Sequence, residues 1–274
     1  MKAKPVVIDG PRMSDISEPG ETRFLVELQD RLLAQGSSVL GVHLWTHSPK
    51  RLQQSPALLE AIRRFRERGV PVALQVTITG LGGTLLEPGV ETTAEALAHL
   101  REILDEELLE PGKICLRIDP LQVWRHRGGL IGNLEAIPTI LEQAAALGIK
   151  RARISIMTFQ RYQRKILPRM VRLGLEHLAV DPTEAASYLR PWFGKGMQIA
   201  TCATDLGREG IPAAACFDFT WLTGLPLPLS PDALPVAKRT GCLCFYPREV
   251  SLVKIPRRSS CSGRCVACYA QEHV

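Results

Sequence analysis

Short apolar runs alternate with amphipathic stretches of ten or more residues along most of this chain, and that alternation constrains the fold more than any other feature. Strand-like runs lie at 6–8, 39–45, 72–79, 114–119, 152–157 and 197–202. Between them, residues 22–35 place Phe24, Leu25, Leu28, Leu32 and Leu33 at helical spacing before Gly36. Ser55-Pro56 opens a helix that runs to Arg68, with Gly69 as its stop signal. Further helices are predicted at 93–109, 133–147, 161–173 (with Pro168 as a kink) and 182–193. Strands that alternate with helices make βαβ units and a parallel sheet. Roughly six or seven such units predict an α/β fold built as a full or partial (β/α) barrel, with a doubly wound open sheet as the alternative. Residues 1–240 form the expected barrel and 241–274 a cysteine-rich segment of the same single domain.

Within each strand the two faces differ in character. Val72, Leu74, Val76 and Ile78 oppose Ala73, Gln75, Thr77 and Thr79. Ile114, Leu116 and Ile118 oppose Cys115, Arg117 and Asp119, and Ala152, Ile154 and Ile156 oppose Arg153, Ser155 and Met157. Val42 and Leu44 oppose His43 and Trp45. The apolar phase should face the helices and the polar phase the barrel interior. A purely structural barrel fills its interior with Val, Ile and Leu. Buried polar groups cost free energy unless satisfied, so a polar interior predicts a wet, ligand-binding lumen. His43, Arg117, Asp119 and Arg153 are the candidate catalytic residues, and Gln75 is a candidate cofactor-binding residue. The bland alternative is a satisfied buried histidine and an internal Arg117–Asp119–Arg153 ion network. Gly80-Leu-Gly-Gly83 lacks the full phosphate-loop spacing and is weak as a cradle.

Bulk properties narrow the class. Aromatics make up only 5% of residues, so the core must rest on Leu, Val, Ile and Ala. A net charge of +6 permits a polyanionic partner such as nucleic acid, without requiring one. No apolar run reaches the roughly 18 residues a membrane span needs, and Met1-Lys-Ala-Lys-Pro5 carries no signal-peptide core. Eight cysteines in such a chain fit metal ligation in a reducing, cytoplasmic compartment rather than disulfides.

Three of those cysteines stand together as Cys261-Ser-Gly-Arg-Cys265-Val-Ala-Cys268, after an apolar strand-like run at 251–255. Three close thiolates suit three irons of a [4Fe–4S] cluster and leave one iron open, as a catalytic metal site requires. Zinc and unligated thiols are the competing readings, but zinc sites usually pair one C-x2-4-C with a partner pair elsewhere. Cys202, Cys216, Cys242 and Cys244 could build a second site, an auxiliary cluster or a zinc, with sulfurs within roughly 8 Å of one another. Cys115 reads as a small interior residue.

The C-x3-C-x2-C spacing followed by Tyr269 resembles the signature of radical S-adenosylmethionine (SAM) enzymes, moved from the usual place after the first strand to the C-terminus. The whole chain resembles an uncharacterised bacterial family that ends in a C-x-C element, a strand and C-x3-C-x2-C-Tyr-Ala. Also similar are Trp45-Thr46, Gln75-Val-Thr77, Arg117-Ile-Asp-Pro120, Thr201-Cys-Ala203 and Ala215-Cys-Phe-Asp218, while in the N-terminal loop only Arg12 and Asp15 match. The cysteine ending is also similar to that of the spore photoproduct lyase group. The resemblance implies a circularly permuted radical SAM barrel, an iron–sulfur cluster on Cys261, Cys265 and Cys268, SAM with Tyr269 near its adenine, and a flavodoxin- or ferredoxin-type reductant. The contrasting expectation is a non-enzymatic, metal-stabilised protein that binds nucleic acid.

Overall fold

Seven short strands pair side by side, all in parallel, in the computed structural model of the protein. The structure describes residues 4–12, 14–202, 204–228, 232–236, 243–258, 261–266 and 268. In chain order the strands and helices up to the middle of the chain are β1 (Val6–Asp9), α1 (Pro19–Ala34), β2 (Val39–Thr46), α2 (Pro49–Gln53), α3 (Pro56–Glu67), β3 (Val72–Thr77), α4 (Thr93–Asp105), β4 (Ile114–Leu121), β5 (Val123–His126), β6 (Gly129–Gly132) and α5 (Ile137–Ala146). They are followed by β7 (Arg151–Ile156), α6 (Phe159–Leu173), β8 (Leu175–Leu178), α7 (Pro182–Leu189), β9 (Gln198–Thr201), α8 (Phe219–Thr223), β10 (Ala233–Pro235), β11 (Phe245–Pro247) and β12 (Ser251–Lys254).

The main sheet runs β12-β1-β2-β3-β4-β7-β9. Apart from β12 at its head, the order follows the chain and never reverses. A doubly wound sheet needs a reversal at its switch point, so that alternative does not describe this protein. The strand that precedes the cysteine loop lies at the head of the sheet: β12 pairs in parallel with β1, Ser251 beside Val6 and Lys254 beside Asp9. Among the described residues β9 and β12 are not paired, so the sheet keeps two edges.

Each helix forms for reasons visible locally. Pro19, Pro56 and Pro182 sit at helix starts, where a missing N–H costs nothing. Thr92 and Glu95 form a reciprocal capping box on α4, and Gly174 closes α6 in the left-handed region at φ 63°. Leu25, Leu28, Ile62, Phe65, Leu100 and Leu141 from α1, α3, α4 and α5 pack on Val42, Leu44, Leu74, Val76, Leu116 and Ile154 of the sheet. The apolar phase therefore faces the helices as expected. Each such Leu, Ile or Phe contributes about 1.5–3 kcal/mol on burial.

The opposite face is covered by the chain itself. Residues 215–222 cross it, with Phe217, Phe219 and Leu222 packed on Val7, Trp45 and Ala73, together with Val236, Cys244 and Val250. Gly41 of β2 makes this fit possible, because a Cβ there would stand 2.8 Å from Leu222 Cγ. The sequence pattern does not anticipate this covering segment, nor the three-stranded sheet β6-β5-β8.

Candidate cysteine sites and the buried polar face

The cysteine loop leaves the carboxyl end of β12 and is seated by backbone contacts on three other segments. Ile255 N–H donates to the Asp9 carbonyl at 2.9 Å. Gly89 N–H donates to the Gly263 carbonyl at 3.1 Å, and Val266 N–H to that of Leu86 at 2.8 Å. Glu18, just before α1, accepts the Ser262 amide at 2.8 Å. Arg51 donates to both Glu18 Oε1 and the Gly89 carbonyl, each at 3.3 Å. Arg169 of α6 donates to the carbonyls of Cys265 and Cys268.

Two glycines permit this seating. A Cβ at Gly89 would collide with the Ser262 carbonyl oxygen at 2.3 Å. At Gly263 a Cβ would meet Cys261 Sγ and Cys265 Sγ, both at 3.5 Å. The two sulfurs thus border the space that the absent side chain of Gly263 leaves open. Burial pushes the Cys261 thiol up to about 11, aided by Asp15 and Glu18. Burial, with Glu87 next, also raises Cys265. Burial keeps such thiols protonated unless a cation joins them, and among the described residues no three donors of the loop already converge on one point. Tyr269 lies outside the described residues.

A second group of thiols gathers on the inner face. Cys202 follows β9, Cys216 lies in the covering segment, and Cys244 precedes β11. Cys216 Sγ is 3.6 Å from Cys202 Sγ and 3.4 Å from Cys244 Sγ. Phe217 N–H points at Cys244 Sγ at 3.3 Å, and Arg12 Nη1 lies 3.5 Å from Cys216 Sγ. Cys202 and Cys244 hydrogen-bond to Cys216 and pull its pKa well down, with Arg12 and Arg117 adding to the effect. The same contact and burial raise Cys244. Among the described residues no three donors already converge on one point; Cys216 Sγ touches the sulfurs of both Cys202 and Cys244. Cys242 lies outside the described residues. Cys115 is fully buried in β4, as expected of an interior residue.

The polar phase of the strands is buried beneath the covering segment. His43 Nδ1 meets Asp9 Oδ1 at 2.8 Å, and Gln75 Nε2 lies 3.2 Å from His43 Nε2 and 2.8 Å from the Cys216 carbonyl. These contacts are all satisfied by the Nδ1–H tautomer of His43, with the Gln75 amide donating twice. Burial works to raise the Asp9 pKa, but Arg12 and His43 together outweigh it and hold Asp9 below its ordinary value. Arg153 Nε donates to the Ala215 carbonyl at 3.2 Å. Arg117 pairs with Asp119, which also accepts from Ser155. Asp119 stands at the carboxyl end of the sheet with a side chain 19% exposed. Most of the interior polar groups therefore have protein partners, yet Gln75 Oε1, Arg117 Nη1 and Arg12 Nη2 are buried without one.

Arg12 is the site residue that strand alternation could not single out, since it lies in a loop. It donates to Asp9 at 2.8 Å, stacks 5.1 Å from the Trp45 ring centroid and reaches the thiols. Its fit to the resembled family's N-terminal segment was the one available signal. Asp15, the other match, is buried and accepts from Ser17, Thr46 and His47.

These features define an α/β protein with a parallel sheet wound in one direction, a cysteine loop at the sheet's carboxyl end and a covered polar inner face. The chain belongs to the family described as Domain of unknown function (DUF1848), whose model matches residues 25–270. No curated protein sequence matches it. The catalytic domain of a mannanase from Streptomyces sp. SirexAA-E is similar at 12% identity and a TM-score of 0.33, covering 78% of this chain and 67% of that one. A likeness at that level carries no argument about fold or function. No helix among the described residues is long and apolar enough to cross a membrane.

Proposed function

We propose that the protein is an iron–sulfur enzyme of the radical SAM type, acting on a substrate held at the inner face of the sheet. The observation that carries this reading is the seating of the cysteine loop: it follows β12, which pairs in parallel with β1, and its Gly263 leaves open a space bordered by the sulfurs of Cys261 and Cys265. In this reading the sheet is a partial barrel, permuted so that the cluster-bearing strand comes after the others in sequence but beside the first in space. Cys261, Cys265 and Cys268 hold a [4Fe–4S] cluster with one iron left for SAM. When bound, that pair supplies a 5′-deoxyadenosyl radical on reduction by a flavodoxin- or ferredoxin-type donor.

The protein's own residues bind, orient and shield. Glu18, Arg51 and Arg169 fix the cysteine loop. Asp119, partly open at the carboxyl end, and the unpaired Arg117 Nη1 and Gln75 Oε1 are the groups with capacity left for a polar substrate. Asp9, His43 and Arg153 hold their neighbours in place.

The test is iron and sulfide content after oxygen-free purification, then SAM cleavage by the dithionite-reduced protein. Loss of all sulfide and of the cluster's iron in Cys265→Ala, together with slow formation of 5′-deoxyadenosine and methionine by the wild type only, is expected. Zinc lost in Cys265→Ala, with no iron or sulfide in the wild type, would overturn the reading in favour of a metal-stabilised, non-enzymatic protein.

A further inference from the structure

The three inner-face thiols come from three separate stretches of chain, each brought there by a different element. Chance packing of buried cysteines, which behave as small apolar residues, rarely places three at touching distance. The spacing points to one kind of ligand. In a tetrahedral site with metal–sulfur bonds of about 2.3 Å, neighbouring sulfurs stand about 3.8 Å apart. Here the gaps from Cys216 are 3.4 Å to Cys244 and 3.6 Å to Cys202. A cubane puts each thiolate on a different iron and spreads the sulfurs well beyond this. A single ion bound to Cys216 would have both neighbouring sulfurs at hand as further ligands.

The surroundings suit an anionic metal–thiolate centre. A divalent ion with three thiolates carries one net negative charge. The Arg12 guanidinium lies 3.5 Å from Cys216 Sγ and 3.9 Å from Cys244 Sγ, and Arg12 Nη2 is buried with no other partner. The Phe217 amide aimed at Cys244 Sγ is the kind of N–H donor that surrounds metal-bound sulfur. We infer that Cys202, Cys216 and Cys244 hold one tetrahedral metal ion, zinc or iron, at a site separate from the cysteine loop. The ion pins the covering segment between the end of β9 and the stretch before β11, so it locks the lid of the inner face. This inference uses none of the loop cysteines and stands whether or not the radical SAM reading holds.

The experiment removes the other site. A Cys261→Ser/Cys265→Ser/Cys268→Ser chain, purified without oxygen, should retain about one zinc or iron per chain and no sulfide. Adding Cys216→Ser should lower that metal at least tenfold. Metal-edge X-ray absorption on the triple variant should show sulfur neighbours at about 2.3 Å, a readout that does not need the Cys216→Ser chain to fold. Should the triple variant itself fail to fold, cobalt(II) uptake by the wild-type chain, giving tetrahedral thiolate-to-cobalt absorption that persists in Cys265→Ser, replaces it. Metal-free thiols, a Cys216–Cys244 disulfide, a shell of nitrogen and oxygen only, or four irons with sulfide would each overturn the inference.

Discussion

Glu18 and Ser262 stand 244 positions apart in the chain, yet Glu18 Oε1 accepts the Ser262 amide N–H at 2.8 Å. The carboxylate is buried, and Arg51 balances its charge from 3.3 Å. One side chain near the start of the chain thus holds the backbone between Cys261 and Cys265.

Glu18→Ala should loosen the loop while leaving the sheet intact. A buried amide left without its acceptor costs about 1–3 kcal/mol. The expected result is a stability loss of that order in urea unfolding, and iron that leaves to a chelator faster than from the wild type. Unchanged chelator kinetics would separate Glu18 from the loop's integrity.

Gly263→Ala tests the space between the sulfurs. Its methyl would occupy the space beside Cys261 Sγ and Cys265 Sγ, in contact with both at 3.5 Å, and stand 3.3 Å from Val90 Cγ2. Iron content should fall severalfold with far-ultraviolet circular dichroism preserved. Gly112→Ala is the control, because a Cβ there meets nothing within 4 Å. If both variants load iron equally, the space has no bearing on the centre.

Gly41→Ala addresses the covering segment. The new methyl would stand 2.8 Å from Leu222 Cγ, with two more Leu222 carbons at 3.2 Å. Overpacking of this kind costs about 1–3 kcal/mol. Proteolysis within residues 213–224 should accelerate before the rest of the chain is cut. A variant as resistant as the wild type would mean that the segment shifts without cost.

Asp9 links folding to acid. Its folded pKa lies below the ordinary 3.8, held there by Arg12 and His43 against the effect of burial. A carboxylate with a depressed folded pKa stabilises above its unfolded value, and that stabilisation is lost as pH falls through the folded one. Denaturant unfolding from neutral pH down to about pH 3 should therefore show a decline that Asp9→Asn flattens. At neutral pH the same variant should be weaker by about 3–5 kcal/mol, since it leaves the charged Arg12 buried beside a neutral amide. Parallel curves for the two proteins would remove Asp9 from the acid transition.

The alternation of strand and helix was legible because one phase of each strand is wholly apolar, and those residues pack on the helices. The pairing of β12 with β1 was legible only through the resemblance, which put a strand and cysteine loop of this order beside the first strands. Other elements have no such local mark. Val123-Trp-Arg-His126 forms a hairpin with Gly129–Gly132 across Arg127-Gly128, both at positive φ, and arginine is a poor advertisement for that turn. The segment at 215–222 has no period at all; its conformation is set by where Gly41 leaves room and by what Gln75 and Arg153 need as acceptors. A polar strand face reads as a wet lumen until the chain that covers it is known. Arg12, three residues past Asp9 in a turn-rich loop, was visible only through its fit to a resembled segment.

The place of β12 also sets an order of assembly. Translation delivers β1 early and β12 after every other strand of the main sheet, so through most of synthesis β1 has a bare edge of unpaired N–H and C=O groups. The strand that closes that edge is the one that carries the cysteine loop to Glu18 and Gly89. Protection of the nascent sheet from edge-to-edge association and seating of the cysteine loop are therefore one event. A chain stopped before Ser251 would keep the bare β1 edge and lack the cysteine loop altogether.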